Sequence, residues 1–247
     1  MLRLIKFVSM KYLFTFFLSL LFITTIAKKP KHQYVRITTS EGECVIMLYN
    51  ETPLHRDNFI KLSKQGFYNG TIFHRVIKSF MIQGGDPDSK NAASEKELGE
   101  GDVGYTIPAE FNDSLFHKKG VLAAARDGNP LKASSGCQFY LVQGKVLTDA
   151  QLDALEENRL HFKIPAAHRE VYKTIGGTPH LDRNYTAYGE VVKGIEMIDK
   201  IAVMETGLRD RPVTDVKMVV TVLKKREAKK IEKTLAKQAK SNKVAKA

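Results

Sequence analysis

The 247-residue chain has no tryptophan, only two cysteines, Cys44 and Cys137, and no charged side chain between Tyr12 and Ala27. Each shortage excludes something. Two cysteines cannot build a disulfide framework even in an oxidising compartment. Neither stands in a motif that supplies a histidine partner, so a thiol nucleophile is not indicated. Both lie in apolar, strand-like surroundings, which leaves two readings: a pair of buried thiols, or one Cys44–Cys137 disulfide. The seven histidines show no H-x-x-x-H or comparable ligand spacing, so no metal is expected. No other cofactor is called for.

The uncharged run is 16 residues, short of the ~20 that a spanning helix needs. Arg3, Lys6 and Lys11 precede it, and Thr25-Ile26-Ala27 offers small side chains before Lys28. That pattern reads as a secretory signal over residues 1–27, with an uncleaved membrane anchor as the alternative. No cysteine directly follows the run, which argues against a lipid-anchored precursor. Either way the body is expected outside the cytoplasm, periplasmic or secreted.

The formal charge of +12 is uneven: +3 lies in residues 1–27, +8 in residues 224–247 and only +1 between them. Basicity is therefore a property of the tail, which holds ten Lys/Arg against two Glu. Ile231 and Leu235 stand one helical turn apart there, with little other apolar bulk. A solvated, partly frayed helix is the plain reading. Weak contact with an anionic membrane surface is the alternative. Nucleic acid is the poorer partner, because the tail has no aromatic ring to stack on bases.

Between these ends, a composition that is 43% hydrophobic can bury one substantial core. Two apolar segments from Tyr34 to Tyr49 flank Thr39-Ser40-Glu41-Gly42-Glu43, the pattern of a β-hairpin. Thr52 is a candidate cap and Pro53 a first-turn residue for a helix that Gly66 would end, with Phe59, Ile60 and Leu62 on its apolar face. Short apolar segments at 71–83, 120–125 and 138–142 have the texture of an antiparallel β-fold. A second helix is predicted over 194–204, and Val216, Met218, Val220 and Val222 alternate as a closing strand. Residues 145–177 break that texture. Thr148 and Gln151 form a capping box, Pro165 can open another helix through Tyr172, and Gly176-Gly177 would end it.

The stretch Phe73-His74-Arg75-Val76-Ile77-Lys78-Ser79-Phe80-Met81-Ile82-Gln83-Gly84-Gly85-Asp86 closely resembles the signature of the cyclophilins, the peptidyl-prolyl cis-trans isomerases. Gly136-Cys137-Gln138-Phe139-Tyr140 and the segment from Leu181-Asp182 to Tyr188-Gly189 extend the resemblance. It implies a mainly β fold, a closed eight-stranded antiparallel barrel capped by two α-helices, over residues 28–223. The interval at about 145–177 is then a helical insertion like that of some bacterial members, and 224–247 a Lys-rich tail. Implied partners are proline-containing polypeptides, and a monomer is expected.

The resemblance assigns Arg75 as the catalytic donor and Gln83 as its positioning partner. It places Phe80, Met81, Tyr140 and Leu181 around the proline ring, with Ala125, Arg126, Gln138, His180 and Tyr185 as further substrate contacts. Arginine suits the task because its guanidinium stays protonated and offers donors in a fixed plane. Strand alternation puts Gln138 and Tyr140 on one face and Cys137 and Phe139 on the other, and sets His74 opposite Arg75, as a structural residue rather than a base. Three positions depart from the family pattern. Arg126 stands where many relatives have asparagine, His180 where many have tryptophan, and Tyr185 where many have histidine. The lost tryptophan implies weak cyclosporin binding. The reading is an isomerase that assists folding of exported or unfolded proteins; the alternative is a non-catalytic proline-peptide-binding chaperone or adaptor.

Overall fold

Strand β1 (Gln33–Thr39) turns back at Gly42, whose φ of +124° favours glycine, into β2 (Gly42–Leu48). This is the first hairpin of a computed structural model that describes residues 32–244. The signal reading for residues 1–27 lies outside the described residues. Helix α1 (Pro53–Lys64) follows, with Phe59, Ile60 and Leu62 buried. Its amino terminus corrects one expectation, since the Thr52 side chain makes no capping bond. Instead the backbone N–H groups of Leu54 and His55 donate to the Glu110 carboxylate, both at 3.0 Å. A charged acceptor satisfies two orphan donors at once and complements the positive end of the helix, which outcompetes a hydroxyl.

Strands β3 (Phe73–Ile77), β4 (Met81–Gly84), β6 (Val121–Ala124), β8 (Phe139–Val142), β9 (Ala187–Lys193) and β10 (Val219–Val222) join the hairpin in one antiparallel sheet of order β10-β1-β2-β9-β6-β8-β4-β3. A small separate sheet pairs β5 (Thr106–Ile107) with β7 (Ser134–Ser135). The expected closed barrel is corrected to an open, curled half-barrel. Its edge strands β3 and β10 do not form a ladder. A single bridge, Ile72 to Lys217, spans the seam, with Phe73 N–H donating to the Val216 carbonyl and Met218 N–H to the Thr71 carbonyl. The physical reason is the short last strand. Val216 and Met218 are fully buried, yet regular pairing begins only at Val219.

Alternation divides this sheet into two working faces. Leu122, Ala124, Ile82, Phe139 and Leu141 point into the central core, while Val121, Ala123, Met81, Tyr140 and Val142 point to the other side. In the core, Phe59 from α1 packs edge-on against Phe139 and Tyr188, at 5.3 and 5.6 Å between ring centroids. Helix α4 (Glu196–Ala202, so numbered after the two insertion helices) adds Met197, Ile198 and Ile201. Cys44 and Cys137 are both free and buried in this core, so the disulfide reading is set aside. Burial pushes the two thiols up, to about 12 and about 11, far from a reactive thiolate.

The insertion is helical as predicted. Helix α2 (Asp149–Leu155) carries the Thr148–Gln151 capping box with both reciprocal bonds present. It runs into a π-helical turn, Glu156–Leu160, stopped by His161 in the left-handed region at φ +57°. Helix α3 (Ala166–Thr174) then returns. Leu147, Leu152, Leu160, Ile164 and Tyr172 form a separate apolar cluster beneath them. Arg169 of α3 binds Asp149, Asp153 and Glu156, and Lys163 completes Glu156 at 2.8 Å.

The tail forms helix α5 (Lys225–Val244). It is docked at its start rather than wholly solvated: Ala228 and Ile231 pack with Tyr34, Val45 and Met47, and Glu227 pairs with Arg36 at 3.3 Å. No described helix is long and apolar enough to cross a membrane.

Candidate active site

The outer face of β6, β8, β4 and β3 floors a cavity of about 570 Å³. Arg75, Phe80, Met81, Gln83, Ala125, Arg126, Tyr140, Leu181 and Tyr185 all border it. Those nine residues come from four separate stretches of sequence: 75–83, 125–126, Tyr140 and 181–185. The sheet brings most of them together, on the outer side of β3, β4 and β8 or at a strand's end, and the 3-10 turn Pro179–Leu181 with the loop to β9 adds Leu181 and Tyr185.

Arg75 and Gln83 are direct cross-strand partners in the β3–β4 hairpin, which puts both side chains on one face. Gln83 donates from Nε2 to the Oε1 of Gln138 at 3.1 Å, and Gln138 in turn donates to the carbonyls of Gly99 and Gly101 at 2.7 and 2.9 Å. This chain of amides holds Gln83 in place. Gln138 therefore does not border the main cavity; it lines a contiguous recess of about 470 Å³ that shares Gln83, Ala125 and Arg126.

Arg75 is 43% exposed and meets one acid, Asp210, through Nε at 3.5 Å. Its two terminal nitrogens have no partner among the described residues, so they remain available as donors. Sequence reasoning did not find Asp210. It sits in a short 3-10 turn, Leu208–Asp210, where Arg209 and Asp210 both take positive φ, 57° and 62°. Asp is one of the non-glycine types that tolerates positive φ, but arginine is not, and nothing in the sequence marks two such residues in succession.

Two of the family departures meet each other. The Arg126 guanidinium lies over the Tyr185 ring at 4.7 Å, and its Nε donates to the Asn184 carbonyl at 2.8 Å. One cation–π pair thus builds one rim of the cavity. The third departure, His180, does not border the main cavity. Its ring stacks on Phe80 at 5.4 Å with 26° between planes. Burial first, and the nearby charge of Arg159 second, push His180 down to about 4, so a neutral ring makes that contact near pH 7.

Behind the floor runs a buried polar chain. Asp182 accepts from the His117 backbone N–H and pairs with His117 Nδ1, both at 2.9 Å, and accepts from the Tyr172 hydroxyl at 2.6 Å. A carboxylate only accepts, so Nδ1 carries the proton and Nε2 is left as an acceptor. Tyr140 fills it, its hydroxyl donating at 3.0 Å. Gly177 makes room for the chain, since a side chain there would run into the His117 carbonyl and the Tyr172 ring. The network thus connects Tyr140, a wall of the cavity, to α3 of the insertion.

His74 borders the cavity but is only 3% exposed, and neither ring nitrogen has a hydrogen-bond partner. Burial pushes it down to about 4, against an opposing pull from Asp86. It is a buried residue at the irregular start of β3, where the register shifts between Phe73 and Arg75. Because the unfolded chain takes up a proton near pH 6.5 and the folded one only near 4, the unfolded state binds more protons between those values. Stability should therefore be complete above about pH 6.5 and fall by about 3 kcal/mol as pH drops to 4. Urea midpoints of wild type and His74→Phe across pH 4–7 check this. An equally steep acid limb in both proteins would remove His74 as its source.

A curled antiparallel sheet that carries an exposed arginine beside a cavity with one apolar wall and a charged border defines a groove protein with the cyclophilin fold. The chain belongs to the family described as cyclophilin type peptidyl-prolyl cis-trans isomerase/CLD, whose model matches residues 34–222. A protein of Staphylococcus epidermidis assigned as a peptidyl-prolyl cis-trans isomerase is 34% identical over 179 residues, 72% of this chain and 85% of that one. A protein of Streptococcus pyogenes assigned as a bifunctional phosphatase/peptidyl-prolyl cis-trans isomerase is 37% identical over 185 residues. The match covers 74% of this chain and 37% of that longer protein. Among solved structures, a Cryptosporidium parvum cyclophilin type isomerase superposes with a TM-score of 0.56 at 23% identity, covering 78% of this chain and 98% of that one. A second crystal structure of the same parasite protein, in the presence of the dipeptide Ala-Pro, gives 0.56 at 22% identity.

Proposed function

We propose that this chain accelerates rotation about X-Pro bonds in exported or unfolded polypeptides, with Arg75 as the catalytic donor. Amide resonance raises a barrier of ~18–20 kcal/mol to this rotation. A donor aimed at the prolyl nitrogen opposes that resonance, and the interaction develops fully only when the bond is twisted and the nitrogen pyramidal. It therefore stabilises the transition state in preference to either ground state. Raising a rate of ~10⁻² s⁻¹ to ~10³ s⁻¹ requires about 7 kcal/mol, a load within reach of one oriented cation and a pocket. No nucleophile or electron transfer enters the step.

The single observation that carries the reading is the placement of Arg75: across the cavity's apolar wall of Phe80, Met81, Tyr140 and Leu181, opposite Gln83 in register, and held by one solvent-accessible ion pair. In this proposal Phe80, Met81, Tyr140 and Leu181 enclose the proline ring. Gln83 steadies the arginine and the substrate carbonyl, and Ala125, Arg126, Gln138 and Tyr185 hold the flanking backbone. The body, residues 28–223, would act outside the cytoplasm, a setting supported by the basic start and apolar run of residues 1–27. The lysine-rich α5 would rest weakly on anionic lipid.

One experiment addresses both parts. Cells expressing the full chain, or the chain without residues 224–247, are fractionated, and each fraction is assayed on a proline-limited peptide. Catalysis is expected in the extracytoplasmic fractions, with the truncated protein less membrane-associated. Proline-peptide binding with no acceleration would replace the isomerase by a binding module. Activity confined to the cytosol would remove the proposed setting, and an unchanged membrane fraction on truncation would remove the lipid contact.

A further inference from the structure

A second depression, of about 790 Å³, opens between the insertion and the β3–β4 turn. Phe80, Leu147, Leu155 and Pro179 supply its apolar surface, and the exposed Lys145 and Arg159 border it. Two observations indicate what it holds. The first is continuity: Phe80 borders both this depression and the proposed proline cavity, so a chain leaving one past Phe80 enters the other. The second is charge sorting within the insertion. Asp149, Asp153 and Glu156 are all engaged by Arg169, Lys173 or Lys163. Lys145 and Arg159 have no ion-pair partner among the described residues.

From this geometry we infer that the insertion adds a specificity subsite, which receives the stretch of substrate chain next to the proline and selects an apolar residue accompanied by Asp or Glu. The inference rests on the isomerase reading. An apolar side chain would be removed from water against Phe80, Leu147 and Leu155. The neighbouring carboxylates would face Lys145 and Arg159, which form no ion pair among the described residues, with Glu157 as the one nearby acid that no cation engages.

The test follows cis/trans exchange by NMR in three sets of peptides built on one Ala-Pro core: the short core, the core extended by Leu-Glu-Glu, and the core extended by Leu-Lys-Lys. Extensions are placed on either side of the proline in separate sets. Wild type is expected to give about a fivefold higher kcat/KM on the acidic than on the basic extension, on at least one side. The double variant Lys145→Glu/Arg159→Glu should reverse that order and leave the short core within about twofold. Equal turnover of acidic and basic peptides by wild type, with the short core still active, would overturn the subsite alone. So would a double variant that keeps the wild-type order. A short core that wild type does not accelerate would remove the isomerase reading, and the subsite with it.

Discussion

Arg75→Ala is expected to lower kcat/KM on a short X-Pro peptide by about 10²–10³-fold while the protein stays folded. The size follows from what is removed. Deleting one preorganised donor directed at developing charge commonly costs a factor of that order, because water in an apolar cleft does not reproduce its placement. The fold is spared because the side chain is half-exposed and its one ion pair, to Asp210, is also solvent-accessible. Such pairs contribute well under about 1 kcal/mol. Circular dichroism and the urea midpoint should thus match wild type. Arg75→Lys separates charge from geometry: a point charge lacks the planar fork of donors, so it should recover only a small part of the loss. If Arg75→Ala retained wild-type kcat/KM, the mechanism would have to be sought among other residues of the cavity.

The second large effect is on stability. Asp182→Ala should cost about 3–5 kcal/mol, because it orphans three buried donors together at about 1–3 kcal/mol each, less what relaxation recovers. The His117 backbone N–H, the His117 ring and the Tyr172 hydroxyl all lose their acceptor inside the protein. With His117 free to turn, Tyr140 also loses the partner that fixes its ring against the cavity. An activity loss of about tenfold should accompany the destabilisation, measured at a temperature where the variant is still native. Tyr172→Phe removes one hydrogen bond to the carboxylate and keeps the ring, so it should cost less, about 1.5–3 kcal/mol. The comparison is read from chemical denaturation. A loss below about 1 kcal/mol for Asp182→Ala would mean that water replaces the carboxylate and that the chain of bonds is not structural.

Most of the site was legible because strands write their faces into sequence with a period of two. Once Gln83 and Tyr140 were placed on strands, parity set them on the outer face and sent Phe139 inward; in β3 a register shift between Phe73 and Arg75 breaks the alternation, so Phe73 lies in the core although it has the parity of Arg75. The insertion was legible for a different reason, since its capping box is a local signal that needs no tertiary context. What escaped were contacts between residues distant in the sequence. Glu110 caps α1 in place of the adjacent Thr52. Asp210 reaches Arg75 only because two non-glycine residues adopt positive φ. Arg126 and Tyr185 could each be recognised as unusual, yet nothing linear announces that they lie against one another. The closed barrel was an inference from kinship, and the short β10 limits it to a single bridge across the seam.

That same short strand bears on how the chain matures. The sheet order seats β10 beside β1, with Val222 opposite Val35 and Val219 opposite Thr38. The first strand of the described residues is therefore completed by their last. Until the end of the body emerges, one border of β1 presents unpaired backbone groups, a template for joining another chain. Closing contacts of such sequence separation also form slowly, because loop entropy is spent before they form. During that interval the nascent protein shares the vulnerability of unfinished polypeptides, and Arg36 on β1, with Glu43 beside it on β2, places charge where an unwanted neighbour would dock.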